Sequence, residues 1–314
     1  MTGFDKKYQE RRTHARQTWF PASAREVDRL YEESGMEVRF AIGEVPKEYK
    51  RQIAEEERKF GAFLHIPVKD HYKTLAFKTL AFWQLVIEQY NARYIIKVDD
   101  DNYVRLDRLA IAVRQWEESG AEYVGCFKIR NAADERLAQR SHRWYDPHHK
   151  VFLGDDTRYA EGPFYVIHGR VIEGIMRSGL LPRAGGPEDL MTGWLMKAFN
   201  VSFYDDRRLC FMEGCTPSML AFKWDHAVRD YMDPENKFQR TLCCLDKAHS
   251  FEGRDECTDP SRAHAEGLRC MHVLHTNPNC ATPTLNQENE LPMYSYYDMS
   301  SDWEWVAETM TQLR

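Results

Sequence analysis

The hydrophobic positions of the chain switch repeatedly between a strand-like and a helix-like period. Val38-Arg39-Phe40-Ala41-Ile42-Gly43 runs apolar into a glycine, Ala62-Phe63-Leu64-His65-Ile66 is a second short apolar segment, and Tyr94-Ile95-Ile96-Lys97-Val98 is almost continuously apolar; each predicts a strand. Between them the spacing turns helical. Ala22 to Tyr31 puts Val27, Leu30 and Tyr31 on one face, Lys47 to Phe60 is a charged amphipathic pattern, and Thr74 to Tyr90 directs Leu75, Phe82, Leu85 and Val86 toward a core. Ahead of these, Asp5 to His14 is dense in charge, and the first apolar positions able to form a helix face are Ala15 and Trp19. The resulting β-α-β-α-β order is the signature of a doubly wound sheet. Further along, Leu106 to Trp116 reads as a helix, Tyr123 to Cys126 as a strand, Gly162 to Ile167 as a strand behind a tight turn, and Arg170 to Ser178 as a helix. Gly185-Gly186-Pro187-Glu188-Asp189 opens another helix that runs to Phe199. Arg136 to Tyr159 is rich in aromatic, histidine and arginine residues with little periodicity, which predicts a functional loop or hairpin beside a cleft. From about Met232 the pattern fades into a Cys-rich, loop-rich tail, with one short helix predicted over Asp302 to Leu313.

The third strand ends in Asp99-Asp100-Asp101. Its apolar run suits a strand buried on both faces of a parallel sheet, and ligands of open α/β sheets bind outside the carboxyl ends of such strands. Adjacent carboxylates resist ionising together, and a divalent cation relieves that repulsion. A polar turn, or a helix N-cap ahead of Val104-Arg105-Leu106, accounts for the same triplet without a metal. Glu188 and Asp189 likewise have two readings: acidic residues in a helix's first turn favour its dipole, and a carboxylate beside a cleft can accept a proton.

Composition narrows the class. With 314 residues and 43% hydrophobic content the chain can bury a full core, and a net charge of -6 argues against a general nucleic-acid binder. No apolar run reaches the length of a membrane span or a signal-peptide core. Of 8 cysteines, Cys210, Cys215, Cys243, Cys244, Cys257 and Cys270 cluster. That clustering predicts disulfides among Cys210 to Cys270 in an oxidising compartment; a zinc site using His264, His272 or His275 is the alternative, although the spacing fits no CxxC pair or zinc knuckle. Asn200-Val201-Ser202 is a glycosylation sequon at a predicted helix end.

Six segments occurring in order carry a family resemblance: Arg11-Arg12-Thr13-His14-Ala15-Arg16-Gln17-Thr18-Trp19, Phe40 to Gly43, Tyr72 through Lys78-Thr79, Lys97 to Asp101, Tyr159 to Val166, and Pro187-Glu188-Asp189-Leu190-Met191-Thr192-Gly193. From Arg11 to about Asp225 the chain resembles glycosyltransferase family 31, the β-1,3-galactosyltransferases, in its plant and green-algal branch. Thr18-Trp19-Phe20-Pro21, Lys78 to Phe82 and Cys215-Thr216-Pro217-Ser218 point to that branch. The resemblance implies a GT-A fold, a Rossmann-like mixed α/β sheet flanked by helices, over residues 1–231, with residues 232–314 as a Cys-rich C-terminal extension. It implies an inverting transfer of a hexose, galactose first, from a UDP-sugar to a glycan or glycoprotein hydroxyl, with Mn2+ as cofactor. It also implies a Golgi-lumenal, type II membrane protein. By position, Asp101 matches the metal ligand, Asp99 and Asp100 match donor contacts, and Arg16 and Lys78 match basic positions beside the nucleotide and diphosphate. Asp189 matches the catalytic base, with Gly162, Pro163 and Glu188 in the acceptor's vicinity. Some family members supply a histidine to the metal downstream of the base, where His226 is the nearest candidate and His275 a second. The family's first strand is expected to be absent or reduced to Met1-Thr2-Gly3, with the membrane anchor and stem lying before Met1 in a longer protein. Rival expectations are a donor of UDP-N-acetylglucosamine or UDP-N-acetylgalactosamine, or a sugar-binding pseudoenzyme. A two-metal phosphohydrolase would need a second carboxylate or histidine cluster that the sequence does not offer.

Overall fold

The computed structural model describes residues 1–130, 133–146, 149–150, 156–179, 186–210 and 220–223. The boundary expected at 231/232, the terminal helix, His226, His275, and Cys215 with every cysteine after it lie outside the described residues.

The elements follow in the order α1 (Lys6–Thr18), α2 (Ala24–Ser34), β1 (Phe40–Glu44), α3 (Lys50–Phe60), β2 (Phe63–Lys69), α4 (Leu75–Gln89), β3 (Tyr94–Val98), β4 (Asn102–Val104), α5 (Leu106–Glu118), β5 (Tyr123–Arg130), α6 (Glu135–Ala138), β6 (Thr157–His168), α7 (Gly169–Ser178), α8 (Glu188–Ala198), β7 (Phe203–Asp205) and β8 (Ala221–Lys223). A four-stranded sheet has the order β3-β6-β5-β7; β1 and β2 pair in parallel, and β4 pairs antiparallel with β8. Met1 to Gly3 lies between the first two groups. Thr2 makes a parallel bridge to Ile42 on β1, and the Met1 ammonium donates to the Val98 carbonyl at the end of β3.

Side-chain alternation on β5 and β6 builds two cores on opposite faces. Tyr123, Tyr165 and Ile167 join Trp83 of α4, Ile172 and Ile175 of α7, and Trp194 and Leu195 of α8. Val124, Phe164 and Val166 join Leu109, Ala112 and Trp116 of α5. The fold is therefore a helix-sheet-helix sandwich of mixed α/β class.

Several local expectations are corrected. Strand β3 is antiparallel to β6, and only Ile95 and Lys97 are buried while Tyr94, Ile96 and Val98 are half-buried, so it is not a strand buried on both faces of a parallel sheet. Gly162-Pro163 makes no turn, because β6 continues straight through it. Pairing with β5 instead slips between Gly125 and Phe127, and such a bulge tolerates a proline, which lacks the N–H for a ladder bond. In α4 the buried stripe is Ala76, Thr79, Leu80, Trp83 and Val86, with Lys78 also buried, while Leu75, Phe82 and Leu85 sit at its margin. Tyr31 is exposed and Val27 carries the contact of α2. The charged segment at the start is already helical from Lys6, capped by the Asp5 side chain. Its inward face is Arg12, Ala15 and Arg16, an i, i+3, i+4 stripe that is mostly cationic and so invisible to apolar periodicity.

A disulfide joins Cys126 on β5 to Cys210, across a sequence separation of 84. Cys210 thus pairs outside the cysteine cluster that the sequence singled out. In the chain-entropy picture a loop of that length stabilises by about 4 to 5 kcal/mol relative to the reduced chain.

Helix α8 lies so close to β6 that a Cβ on Gly193 would sit 2.5 Å from both the Arg158 carbonyl oxygen and Tyr159 Cβ. Gly193→Ala is expected to cost roughly 1 to 3 kcal/mol by overpacking. Gly174→Ala on α7 meets only Phe199 at an ordinary 3.7 Å and is expected to stabilise by a few tenths to about 1 kcal/mol, as removal of a helical glycine does. Urea unfolding of the two variants checks the contrast.

Candidate functional site

The acidic edge begins where β3 stops. Asp99 N–H continues the ladder by donating to the Pro163 carbonyl at 2.9 Å, and Asn102 Nδ2 donates to the carbonyls of Asp99 and Pro163, both at 3.1 Å. This pins Asp99, Asp100 and Asp101 in a tight turn over the β6 bulge. Strand β4 then leaves to pair with β8, which brings Lys223 Nζ to 3.6 Å from Asp101 Oδ2. From α1, Arg11 spans both remaining carboxylates, with Nη1 at 2.7 Å from Asp100 Oδ1 and Nη2 at 3.3 Å from Asp101 Oδ2. Burial raises the Asp100 carboxyl above the ordinary aspartate value, against the pull of Arg11.

Among the described residues no three His, Cys, Asp or Glu side chains form a complete metal site. Yet Asp100 Oδ2 is buried with no hydrogen-bond partner at ordinary distance among the described residues. A carboxylate oxygen so placed beside a second carboxylate suits a hard divalent cation whose remaining ligands are water and substrate oxygens, as such cations commonly keep. The residues present therefore fit an oxygen-liganded metal.

The basic residues named from the sequence occupy different depths. Lys78 Nζ is buried and donates to Asp70 Oδ2 and to the Thr2 carbonyl, both at 2.7 Å; burial lowers its pKa, against Asp70. Arg16 lies among the rings of Phe40, Phe60 and Phe63 and donates to Glu56 Oε1 at 2.7 Å, beside a bidentate Arg12–Glu56 pair. Arg11, four positions before Ala15 and five before Arg16, is the arginine that meets the aspartate triplet. The sequence places both arginines in one motif and matches Arg16, with Lys78, to the basic positions beside the nucleotide and diphosphate, leaving Arg11 without a role. The signal that could have separated them is helical phase, since neighbouring residues on a helix point about 100° apart.

On the other side of the β6 bulge, Glu188 and Asp189 open α8. Pro187 is the N-cap, and neither carboxylate caps the helix from that position; Asp189 Oδ1 accepts from the adjacent Leu190 N–H, at 3.0 Å. Glu188 points inward and is buried, where its Oε1 accepts from Thr79 Oγ1 at 3.1 Å and from the Tyr165 hydroxyl. Lys97 Nζ lies 3.6 Å from Glu188 Oε2, 2.6 Å from Asp99 Oδ1, and donates to the Gly162 carbonyl. Asp189 stays half-exposed against Gly162, where an added Cβ would stand 3.4 Å from its Oδ2. Burial first and Glu188 second push the Asp189 pKa up to about 6, with Lys97 pulling it down. It is thus ionised at neutral pH and still basic enough to take a proton.

The structure therefore brings Asp99, Gly162, Pro163, Glu188 and Asp189 into one connected cluster through Lys97, with Asp100 and Asp101 at its edge. Arg16 sits in a separate buried ion cluster. His226 lies outside the described residues, so its place at the metal is not part of this geometry. Lys97, Asp70 and Glu56 were not assigned roles from sequence.

A mixed sheet sandwiched by helices, with carboxylates at a strand end and another carboxylate across a bulge, defines an α/β protein of the GT-A class. The chain belongs to the galactosyltransferase family, whose pattern matches residues 10–207. It is 32% identical over 245 residues to probable beta-1,3-galactosyltransferase 12 of Arabidopsis thaliana, covering 76% of this chain and 63% of that protein. It is 30% identical over 228 residues to probable beta-1,3-galactosyltransferase 13 of the same plant, covering 72% and 64%. Against beta-1,3-galactosyltransferase 7 the identity is 27% over 209 residues, covering 64% and 53%. The chain thus spans between about half and just under two thirds of the length of these relatives.

The raised Asp189 pKa has a consequence for stability. The folded state holds this proton more tightly than an unfolded aspartate does, so the Asp189 contribution is most favourable at low pH. It is lost as pH rises from the unfolded value of 3.8 through about 6. Asp189→Asn is therefore expected to raise stability at pH 7.5 by roughly 1 to 3 kcal/mol. The gain should close below pH 4, as measured by unfolding curves across that range.

Proposed function

We propose that the protein is an inverting glycosyltransferase that moves galactose from UDP-galactose to a hydroxyl of a glycan or glycoprotein, forming a β-1,3 linkage. The observation that carries this reading is the pairing, in a galactosyltransferase-family chain, of the aspartate edge Asp99 to Asp101 with Asp189 across the β6 bulge. Asp189 accepts the proton of the acceptor hydroxyl while that oxygen bonds to the anomeric carbon. The bond from that carbon to the diphosphate oxygen breaks on the opposite face, and UDP leaves with the electron pair. Gly162 leaves the space in front of Asp189 open for the acceptor, and the bulge at Gly162-Pro163 sets the distance between the two halves of the site. Asp101, with Asp100 beside it, would hold Mn2+, which when bound neutralises charge on the departing diphosphate. Asp99 would contact the donor, Arg11 and Lys78 would lend positive charge to the nucleotide side, and alignment of the two sugars supplies much of the remaining rate.

No described helix is long and apolar enough to cross a membrane. The Cys126–Cys210 disulfide supports residence in an oxidising compartment, in keeping with a Golgi-lumenal catalytic domain carried by a type II anchor. Asn200 is half-exposed, in the left-handed region at φ 47°, just beyond α8, a placement that supports use of the sequon in the secretory pathway.

The test is release of UDP from UDP-galactose, UDP-N-acetylglucosamine and UDP-N-acetylgalactosamine with a panel of galactan, N-glycan and hydroxyproline-peptide acceptors. Galactose transfer that is abolished by chelation is expected, and a preference for an N-acetylhexosamine donor would overturn the donor assignment. Asp189→Asn should lower kcat by about 100-fold or more while leaving UDP binding with Mn2+ intact. Asp101→Ala should remove the metal-dependent part of UDP affinity in calorimetry; equal affinity with and without metal in the parent protein would sink that role.

A further inference from the structure

Lys97 is a charge that packing does not require. It lies within β3, 2% exposed, at a position where an apolar residue would satisfy the strand. A buried ammonium is costly unless it is fully compensated. Its compensation comes from three separate places: Asp99 at the donor edge, the Gly162 carbonyl in the β6 bulge, and Glu188 at the start of α8. Nζ also lies 5.7 Å from the centre of the Tyr165 ring, whose hydroxyl donates to the same Glu188. Glu188 is bonded in turn by Thr79 of α4. One lysine thus ties the end of β3 and the middle of β6 by hydrogen bonds and the first turn of α8 by an ion pair, at the residue just before Asp189.

We infer that Lys97 is a positioning residue for Asp189, and that Lys97 and Glu188 act as an opposed pair of buried charges that sets the pH at which Asp189 takes up its proton. The inference rests on the reading of Asp189 as the base. Burial alone would depress the Lys97 ammonium, but Asp99 and then Glu188 more than offset it, so Lys97 stays charged. The groups facing Asp189 are Glu188 on its own helix, Lys97 on β3, Tyr123 on β5 and Tyr159 on β6. Burial raises both phenols and keeps them neutral, with Arg130 bonded to the Tyr159 hydroxyl at 3.2 Å. The two charges next to Asp189 therefore act in opposite senses, Glu188 raising its pKa and Lys97 lowering it.

Opposite signs make the pair testable. Activity should fall on the acid side as Asp189 becomes protonated, so the acidic limb of kcat/KM for the acceptor reports that event. Lys97→Met should move this limb up by about one pH unit, and Glu188→Gln should move it down by a similar amount while keeping an oxygen for Thr79 and Tyr165. The same shifts should appear in a 13C titration of aspartate-labelled protein, in which the Asp189 resonance is assigned by its loss in Asp189→Asn. A purely structural role would lower the melting temperature of either variant and leave both titrations where they were. If Lys97→Met does not fold, Glu188→Gln, with an Asp189 midpoint below the parent's, and the double variant, in which the two opposite shifts largely cancel, decide the matter. An unmoved midpoint in a single variant, a double variant no nearer the parent than Glu188→Gln, or shifts of the same sign in both single variants overturn the inference. If Asp189→Asn retains turnover, the base assignment fails, and the 13C titration still decides whether Lys97 and Glu188 control Asp189.

Discussion

A charge taken out of water must meet its opposite at hydrogen-bond distance, and this constraint shapes the whole cleft. Arg12 and Arg16 share Glu56, Lys78 meets Asp70, Lys97 meets Asp99 and Glu188, and Arg11 spans Asp100 and Asp101. Three of these groups join segments far apart in the chain, α1 to α3, β3 to α8 and α1 to the acidic turn, while Lys78 holds the start of α4 to the nearby end of β2. Losing one partner leaves an uncompensated buried charge, at a cost of roughly 3 to 5 kcal/mol, so these contacts specify how the elements are arranged as well as holding them. The hydrophobic cores fix the sandwich. The buried charges fix which loop faces which across its open edge.

The same constraint explains how much was legible in the sequence. Apolar periodicity located the strands at Phe40, Phe63, Tyr94 and Tyr123 and the helices at Leu75, Leu106, Gly169 and Glu188, because burial of those residues is what the pattern measures. It failed on α1, whose inward face is built from Arg12, Ala15 and Arg16, and on the face of α4, where the buried Lys78 and Thr79 pull the stripe toward Ala76 and Trp83. The order of motifs identified the family, and Asp99 to Asp101, Gly162, Pro163, Glu188 and Asp189 do meet in space. Which arginine reaches the triplet was not legible, since Arg11, Arg12 and Arg16 are chemically identical and only helical phase and the partner Glu56 separate them. The Cys126–Cys210 pairing was equally hidden, because cysteine spacing carries no information about which strands lie side by side.

Strand β6 carries the consequence of a proline in an unusual place. Pro163 interrupts ladder pairing with β5 but keeps its carbonyl for Asp99 and Asn102, so the strand serves β3 along one side while bulging away on the other. The bulge puts a glycine in front of Asp189 and a backbone acceptor over Lys97, and it does so on the central strand of the sheet, where positions are held most tightly.

The disulfide divides the molecule in a further sense. Cys126 and Cys210 enclose β6, α7, α8 and β7 in one covalent ring, whereas α1 to α4, the aspartate triplet and β4 stand outside it, joined to the ring by hydrogen bonds, packing and ion pairs. The two banks of the cleft are thus fastened by bonds of different kinds. A reductant opens the ring that carries Asp189 and breaks no covalent link of the outer bank, which has no cysteine.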